Sequence, residues 1–141
     1  MQKAAFSIVN YQFDKVSIDL SNHSNKDLSL SFDTSGIFFN ETQNFELRFV
    51  VKVTQNTELN QNTEVKQFAE VSCKGTFKFE NIESFENIPE FFYRNSIAIL
   101  FPYVRAYLSL VTTQANVPGI ILPTLNLSNL ETELKKNTTQ I

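Results

Sequence analysis

Few residues of this 141-residue chain could do covalent or acid–base chemistry. The one histidine, His23, lies in the polar run SNHSNK with no aspartate or cysteine at a useful spacing. It reads as a solvated loop residue, because a general base needs a partner to orient it. The one cysteine, Cys73, falls in a strand-like run and reads as a small packed side chain. A lone cysteine cannot form an intrachain disulfide or, by itself, a structural zinc site, and it suits a reducing compartment. Three glycines leave no phosphate-cradling loop, and Glu131 and Glu133 fit the wet face of a helix. No acid, base and nucleophile assemble into a set, so the expectation is no enzyme, no cofactor and no metal.

Binding is the alternative, and composition narrows the partner. A net charge of −3 and a pI near 5.2, without a basic cluster, argue against nucleic acid. Fourteen Phe and four Tyr are more aromatic surface than a core of this size needs, so part should face a partner. The N-terminal run MQKAAFSIVNYQF lacks a signal-peptide apolar core, and no segment approaches about 18 consecutive apolar residues. The expectation is a cytoplasmic protein, 1–141 forming a single domain, with no direct membrane insertion. The Asn-X-Ser/Thr sites at Asn22, Asn40, Asn126 and Asn137 then read as products of composition.

The elements follow from periodicity. Residues 5–20 alternate as a strand, with Val16, Ile18 and Leu20 on one face. Leu28, Leu30 and Phe32 alternate with serines in a short second strand, and Thr34, Ser35 and Gly36 read as the turn that ends it. Phe45, Leu47, Phe49, Val51 and Val53 mark the clearest strand, 44–54. The polar linker QNTELNQNT joins it to a run at 64–79 as an antiparallel hairpin, with Gly75 marking a bulge or a close backbone approach. Residues 81–95 read as irregular, with one helical turn around Pro89–Tyr93. Helical spacing follows at 97, 100, 101, 104, 108 and 111, and Pro102 fits best in a first turn, so the ordered helix is expected to begin near Leu100. Asn116, Pro118 and Gly119 end it, GIILPTLN is an apolar loop, and a last helix starts at Asn126–Ser128 with Leu127, Leu130 and Leu134 on one face. The sum is an α+β fold: a four-stranded, antiparallel, Greek-key-like sheet, a long helix, an apolar connecting loop and a C-terminal helix. Aromatic-rich sheet edges predict self-association.

The segment Asn95-Ser96-Ile97-Ala98-Ile99-Leu100-Phe101-Pro102-Tyr103-Val104-Arg105, followed by Val117-Pro118-Gly119-Ile120-Ile121-Leu122-Pro123-Thr124-Leu125-Asn126-Leu127, resembles SecB-type chaperones. Those carry an ILFPYAR-like helix start and a PxxxLxPxNF-like loop. Phe68–Val71, continuing through Gly75–Phe77, resembles the family's last strand and Leu28–Ser35 its second.

The resemblance implies a homotetramer, a dimer of dimers whose long helices pack between two eight-stranded sheets, with Phe101, Pro102, Tyr103 and Arg105 as helix and oligomer signature. It implies a holdase for unfolded precursor polypeptides, working without ATP. Leu28, Leu30, Phe32, Leu127, Leu130 and Leu134 would line the client groove, with Phe91, Phe92 and Tyr93 as further candidates. Asp19 and Glu70 match the acidic face that docks the SecA motor, whereas Lys15 stands where an acid is usual. The first crossover, 21–27, is short for the family, and the tail carries Lys135 and Lys136 in place of an acidic run. Three readings follow: an export chaperone, a chaperone dedicated to one partner such as an antitoxin, and a non-chaperone α+β binding or assembly module.

Overall fold

The computed structural model describes residues 5–24, 28–55 and 66–141. Strands β1 (Ala5–Ile18), β2 (Leu28–Phe39), β3 (Asn44–Gln55) and β4 (Gln67–Glu80) are followed by helices α1 (Glu90–Gln114) and α2 (Leu127–Lys136) and a short strand β5 (Thr138–Gln140). The sheet order is β1-β4-β3-β2-β5, antiparallel except where β5 runs parallel to β2. β2, β3 and β4 form a meander and β1 returns beside β4, which is Greek-key connectivity. The expected fold class holds, with β5 as a fifth strand that three polar residues, Thr-Thr-Gln, did not announce.

β3 alternates without a break: Phe45, Leu47, Phe49, Val51 and Val53 are fully buried on the helix-bearing face. Gln55 N–H donates to the Lys66 carbonyl across the mouth of the β3–β4 hairpin (2.9 Å), as the polar linker suggested. The linker residues 56–65, and the start of the fourth strand predicted at Glu64, lie outside the described residues.

Two expectations about breaks fail. Thr34, Ser35 and Gly36 do not form a turn; they lie in mid-strand, and β2 runs on to Phe39. Gly36 is required by packing, because a Cβ there would overlap the ring of Phe45. Gly75 likewise serves close approach, with Leu100 Cδ1 2.7 Å from where its Cβ would stand. The second failure is the start of α1, which begins at Glu90 and carries Pro102 in its interior. Burial of Phe92, Tyr93 and Ile97 outweighs the roughly 3 kcal/mol that an internal proline costs.

β1 solves a phasing problem. Its register skips at Val9 and Asp14, so the helix-facing side chains run Phe6, Ile8, then Tyr11, Phe13, then Val16, Ile18. Leu20 leaves the strand for a short 3-10 turn and is exposed. Phe6 meets Phe92 edge to face at 4.8 Å, Tyr11 stacks on Tyr103 at 4.2 Å, and Phe13 stacks on Tyr107 at 4.1 Å. From Phe6 to Phe13 a strand advances about 23 Å and from Phe92 to Tyr107 a helix advances about 22 Å, so strand and helix stay in step.

α1 buries eight residues, Phe92 and Leu108 among them, against the sheet. By length and hydropathy alone it could cross a bilayer, but it is also the helix that closes the core. Asn116, at φ 65°, turns the chain out of it. α2 starts as expected, the Asn126 side chain accepting from Ser128 N–H and Asn129 N–H (3.1 and 3.4 Å). Arg94 of α1 reaches Glu131 and Ser128 at 2.9 Å each and Lys135 pairs with Glu90, pinning α2 beside α1.

Gly36→Ala should lower the free energy of unfolding by about 1–3 kcal/mol in urea titration, and a second change, Phe45→Leu, should recover part of that loss.

Candidate client-binding groove

α2 lies over one end of β2 only. The Thr34 hydroxyl donates to the Leu130 carbonyl at 3.1 Å, marking where the helix covers the strand. Ahead of that point Leu28, Leu30 and Phe32 remain half-buried on the helix-bearing face. From Phe32 a line of rings runs to Phe49 (6.2 Å) and on to Phe101 of α1 (6.5 Å). Phe101 stands between two open clefts. One, about 410 Å³, is lined by Phe101, Pro102, Arg105, Ala106, Ser109 and Ile121. The other, about 330 Å³, lies against the connecting loop, with Leu122, Pro123, Leu125 and Leu127 among its walls.

The loop holds this shape by dividing its side chains. Leu122 is buried and Ile120 N–H donates to the Thr112 hydroxyl (3.0 Å), while Ile121 is 73% exposed. The strip from β2 to the loop is therefore apolar and made of two partly open stretches, Leu28, Leu30 and Phe32 on β2 and the clefts about Phe101, joined beneath the surface by the fully buried ring of Phe49. Arg105 is the charged group at its rim.

The predicted groove residues divide. Leu28, Leu30, Phe32 and Leu127 lie along the strip, whereas Leu134 is fully buried and Leu130 nearly so, both spent on packing α2 against the sheet. Phe92 and Tyr93 are likewise core, and Phe91 is exposed. Of the helix signature, Phe101, Pro102 and Arg105 line clefts and Tyr103 stacks on Tyr11. Sequence reading identified GIILPTLN as an apolar loop but not Leu125 as a wall residue; the concentration of apolar residues in that loop was the available signal.

The opposite sheet face is polar and ties four of its charges into two cross-strand pairs. Lys15 Nζ lies 2.7 Å from Glu70 Oε2, and Arg48 bridges Asp14 (2.8 Å) and the Ser72 hydroxyl (2.7 Å). Burial works to raise the Asp14 carboxyl, but hydrogen bonds from Arg48 and Ser72 outweigh it and hold the group below the usual carboxylate range. Asp19 caps the short turn after β1, accepting from Ser21 N–H at 3.0 Å. Neither predicted acidic residue stands free, and the first crossover beyond Ser24 lies outside the described residues.

Cys73 is fully buried beside Phe13 on β1, and burial pushes its thiol up to about 11. His23 packs against the ring of Phe68 (5.1 Å). Neither is set up as a nucleophile or base.

Residues 11–137 match the SecB family, preprotein translocase subunit SecB, and the chain belongs to that family. Among solved structures, the Mycobacterium tuberculosis Rv1957 SecB-like chaperone, in complex with a ChAD peptide from the Rv1956 HigA1 antitoxin, superimposes with a TM-score of 0.66 at 16% identity. The match covers 86% of this chain and 88% of that one, and shows a shared fold. The uncharacterized protein MJ0357 of Methanocaldococcus jannaschii is 50% identical over 48 residues, 31% of each protein. The chain thus matches less than a third of that relative's length.

Because the Cys73 thiol is harder to ionise folded than unfolded, its contribution to stability should be complete below about pH 9 and lost as pH rises toward about 11. Urea midpoints measured at pH 8 and pH 10.5 should therefore fall further for the parent chain than for Cys73→Ala.

Proposed function

We propose that this chain is an ATP-independent holdase that binds unfolded polypeptides along the strip from Leu28, Leu30 and Phe32 through Phe101 to Leu125 and Leu127. The observation that carries the reading is the pair of partly open apolar stretches, one on β2 and one about Phe101, that the sheet and the helix leave uncovered while closing a dense core between them. Unfolded chains present apolar segments without fixed sequence, so their receptor must be extended and apolar, and many weak contacts on one client add through effective concentration. Membership of the SecB family supports a chaperone role and argues against enzymatic activity.

The working form is a cytoplasmic homotetramer. Its support is the outward face of α1 and its surroundings, where Phe91, Tyr103 and Leu110 are 46%, 41% and 54% exposed, apolar surface suited to burial between copies. Clients in this reading are precursors held ready for export. A second reading, a chaperone serving one partner, is favoured by the sheet face on which Lys15 and Arg48 neutralise Glu70 and Asp14. That neutralisation weakens any steering toward a basic surface of SecA.

The deciding experiment dilutes several unrelated denatured proteins into solutions of the oligomer without ATP. General suppression of aggregation is expected; protection of a single partner only would shift the assignment to the second reading. Leu30→Asp should weaken binding of an unfolded protein at least about tenfold with oligomer mass and circular dichroism unchanged. Leu130→Asp should instead unfold the chain, since its side chain is 7% exposed in the core.

A further inference from the structure

β2 is an edge strand whose outer rim is closed along only part of its length. On that rim Gly36 N–H donates to the Asn137 carbonyl (3.2 Å), Ile141 N–H to the Phe38 carbonyl (2.9 Å) and Asn40 N–H to the Ile141 carbonyl (2.9 Å). Even-numbered residues of β2 thus aim their N–H and C=O groups off the sheet, and the β2–β3 register carries no shift that would change this. Thr34 obeys the same parity: its carbonyl accepts from Asn137 Nδ2 (3.3 Å) and its backbone amide bonds the Glu133 carboxylate. From Thr34 onward the rim is sealed by α2 and β5.

Leu28, Leu30 and Phe32 come next in that series, and among the described residues no strand pairs with them. These are the same residues whose side chains face the open strip. One stretch of chain therefore offers apolar side chains on its face and backbone donors and acceptors along its rim. β5, a segment without apolar residues in its three positions, shows that this rim accepts an extended strand through main-chain pairing.

We propose that an extended client segment adds to β2 as a strand along Leu28–Phe32, in line with β5, its alternate side chains entering the strip beside Leu30 and Phe32. The assignment deepens the holdase reading and rests on it. Main-chain pairing is blind to client sequence, which suits a receptor that must hold many chains, and alternate side-chain contacts supply the preference for apolar segments. Asp33 and Glu133 flank the sealed end of the rim, and burial together with the Asp33 charge raises the Glu133 carboxyl. A client strand with a basic residue at that end meets complementary charge. β5 fixes the boundary of the site and so limits how long a client strand can become.

The test uses a soluble peptide of about twelve residues, valine alternating with threonine between terminal lysines, and the same peptide with its central amides replaced by esters. Esters keep shape and side chains while removing the donors. The ester form should bind the intact oligomer at least about tenfold more weakly, the loss expected from two or three hydrogen bonds. Equal affinity of the two would overturn strand addition while leaving an apolar-groove holdase standing. Binding of neither, with no protection of denatured proteins, would overturn both. As an independent arm, Thr139→Pro should release β5, lengthen the open rim and raise peptide affinity several-fold, with amide exchange confirming that Ile141 has lost protection. Unchanged or weaker binding after that loss would count against the proposal.

Discussion

Phe92 is the contact on which the rest of the molecule depends. Its ring lies 4.7 Å from Phe45 and from Phe79, 4.8 Å from Phe6 and 5.6 Å from Phe77, so a single side chain of α1 touches aromatic residues of three strands. Edge-to-face pairs contribute about 0.5–1.5 kcal/mol each beyond the area they bury. The cluster fixes the first turns of α1 on the sheet, and everything downstream inherits that placement. Tyr103 and Tyr107 then fall opposite Tyr11 and Phe13, Phe101 falls beside Phe49, and the loop after α1 is delivered to the wall of the clefts. A chain without tryptophan and with fourteen phenylalanines achieves through many small rings what fewer large ones would do elsewhere.

The same cluster explains where sequence reasoning stopped. Period-two alternation made β3 plain, because every inward residue from Phe45 to Val53 is apolar and every one is buried. The helix start was hidden because Pro102 is a strong local signal and the Phe92 cluster is a long-range one, visible only once β1, β3 and β4 are brought together. Gly36 misled for a related reason. Glycine marks turns when backbone freedom is needed, but here it makes room for the ring of a neighbouring strand. β5 left no pattern at all, since three polar residues pair through their backbone.

The site was legible in kind and only partly in place. Leu28, Leu30, Phe32 and Leu127 lie on the open strip, while Leu130 and Leu134 have the same residue type and helical phase and are consumed by the core. Amphipathic spacing says that a face is covered; it does not say by what. The polar face of the sheet carries a similar lesson, for an acidic residue counts as free surface charge only until its cross-strand neighbour is known. Glu70 has Lys15, and Asp14 has Arg48.

The two register skips in β1 have a further consequence. A flat strand at the margin of a sheet invites copy after copy to align alongside it, and chains rich in phenylalanine are prone to that fate. Skips at Val9 and Asp14, five residues apart, interrupt the straight run of matched bonds that such growth requires. The irregularity that keeps strand and helix in step thereby also breaks the flat edge on which such alignment would build.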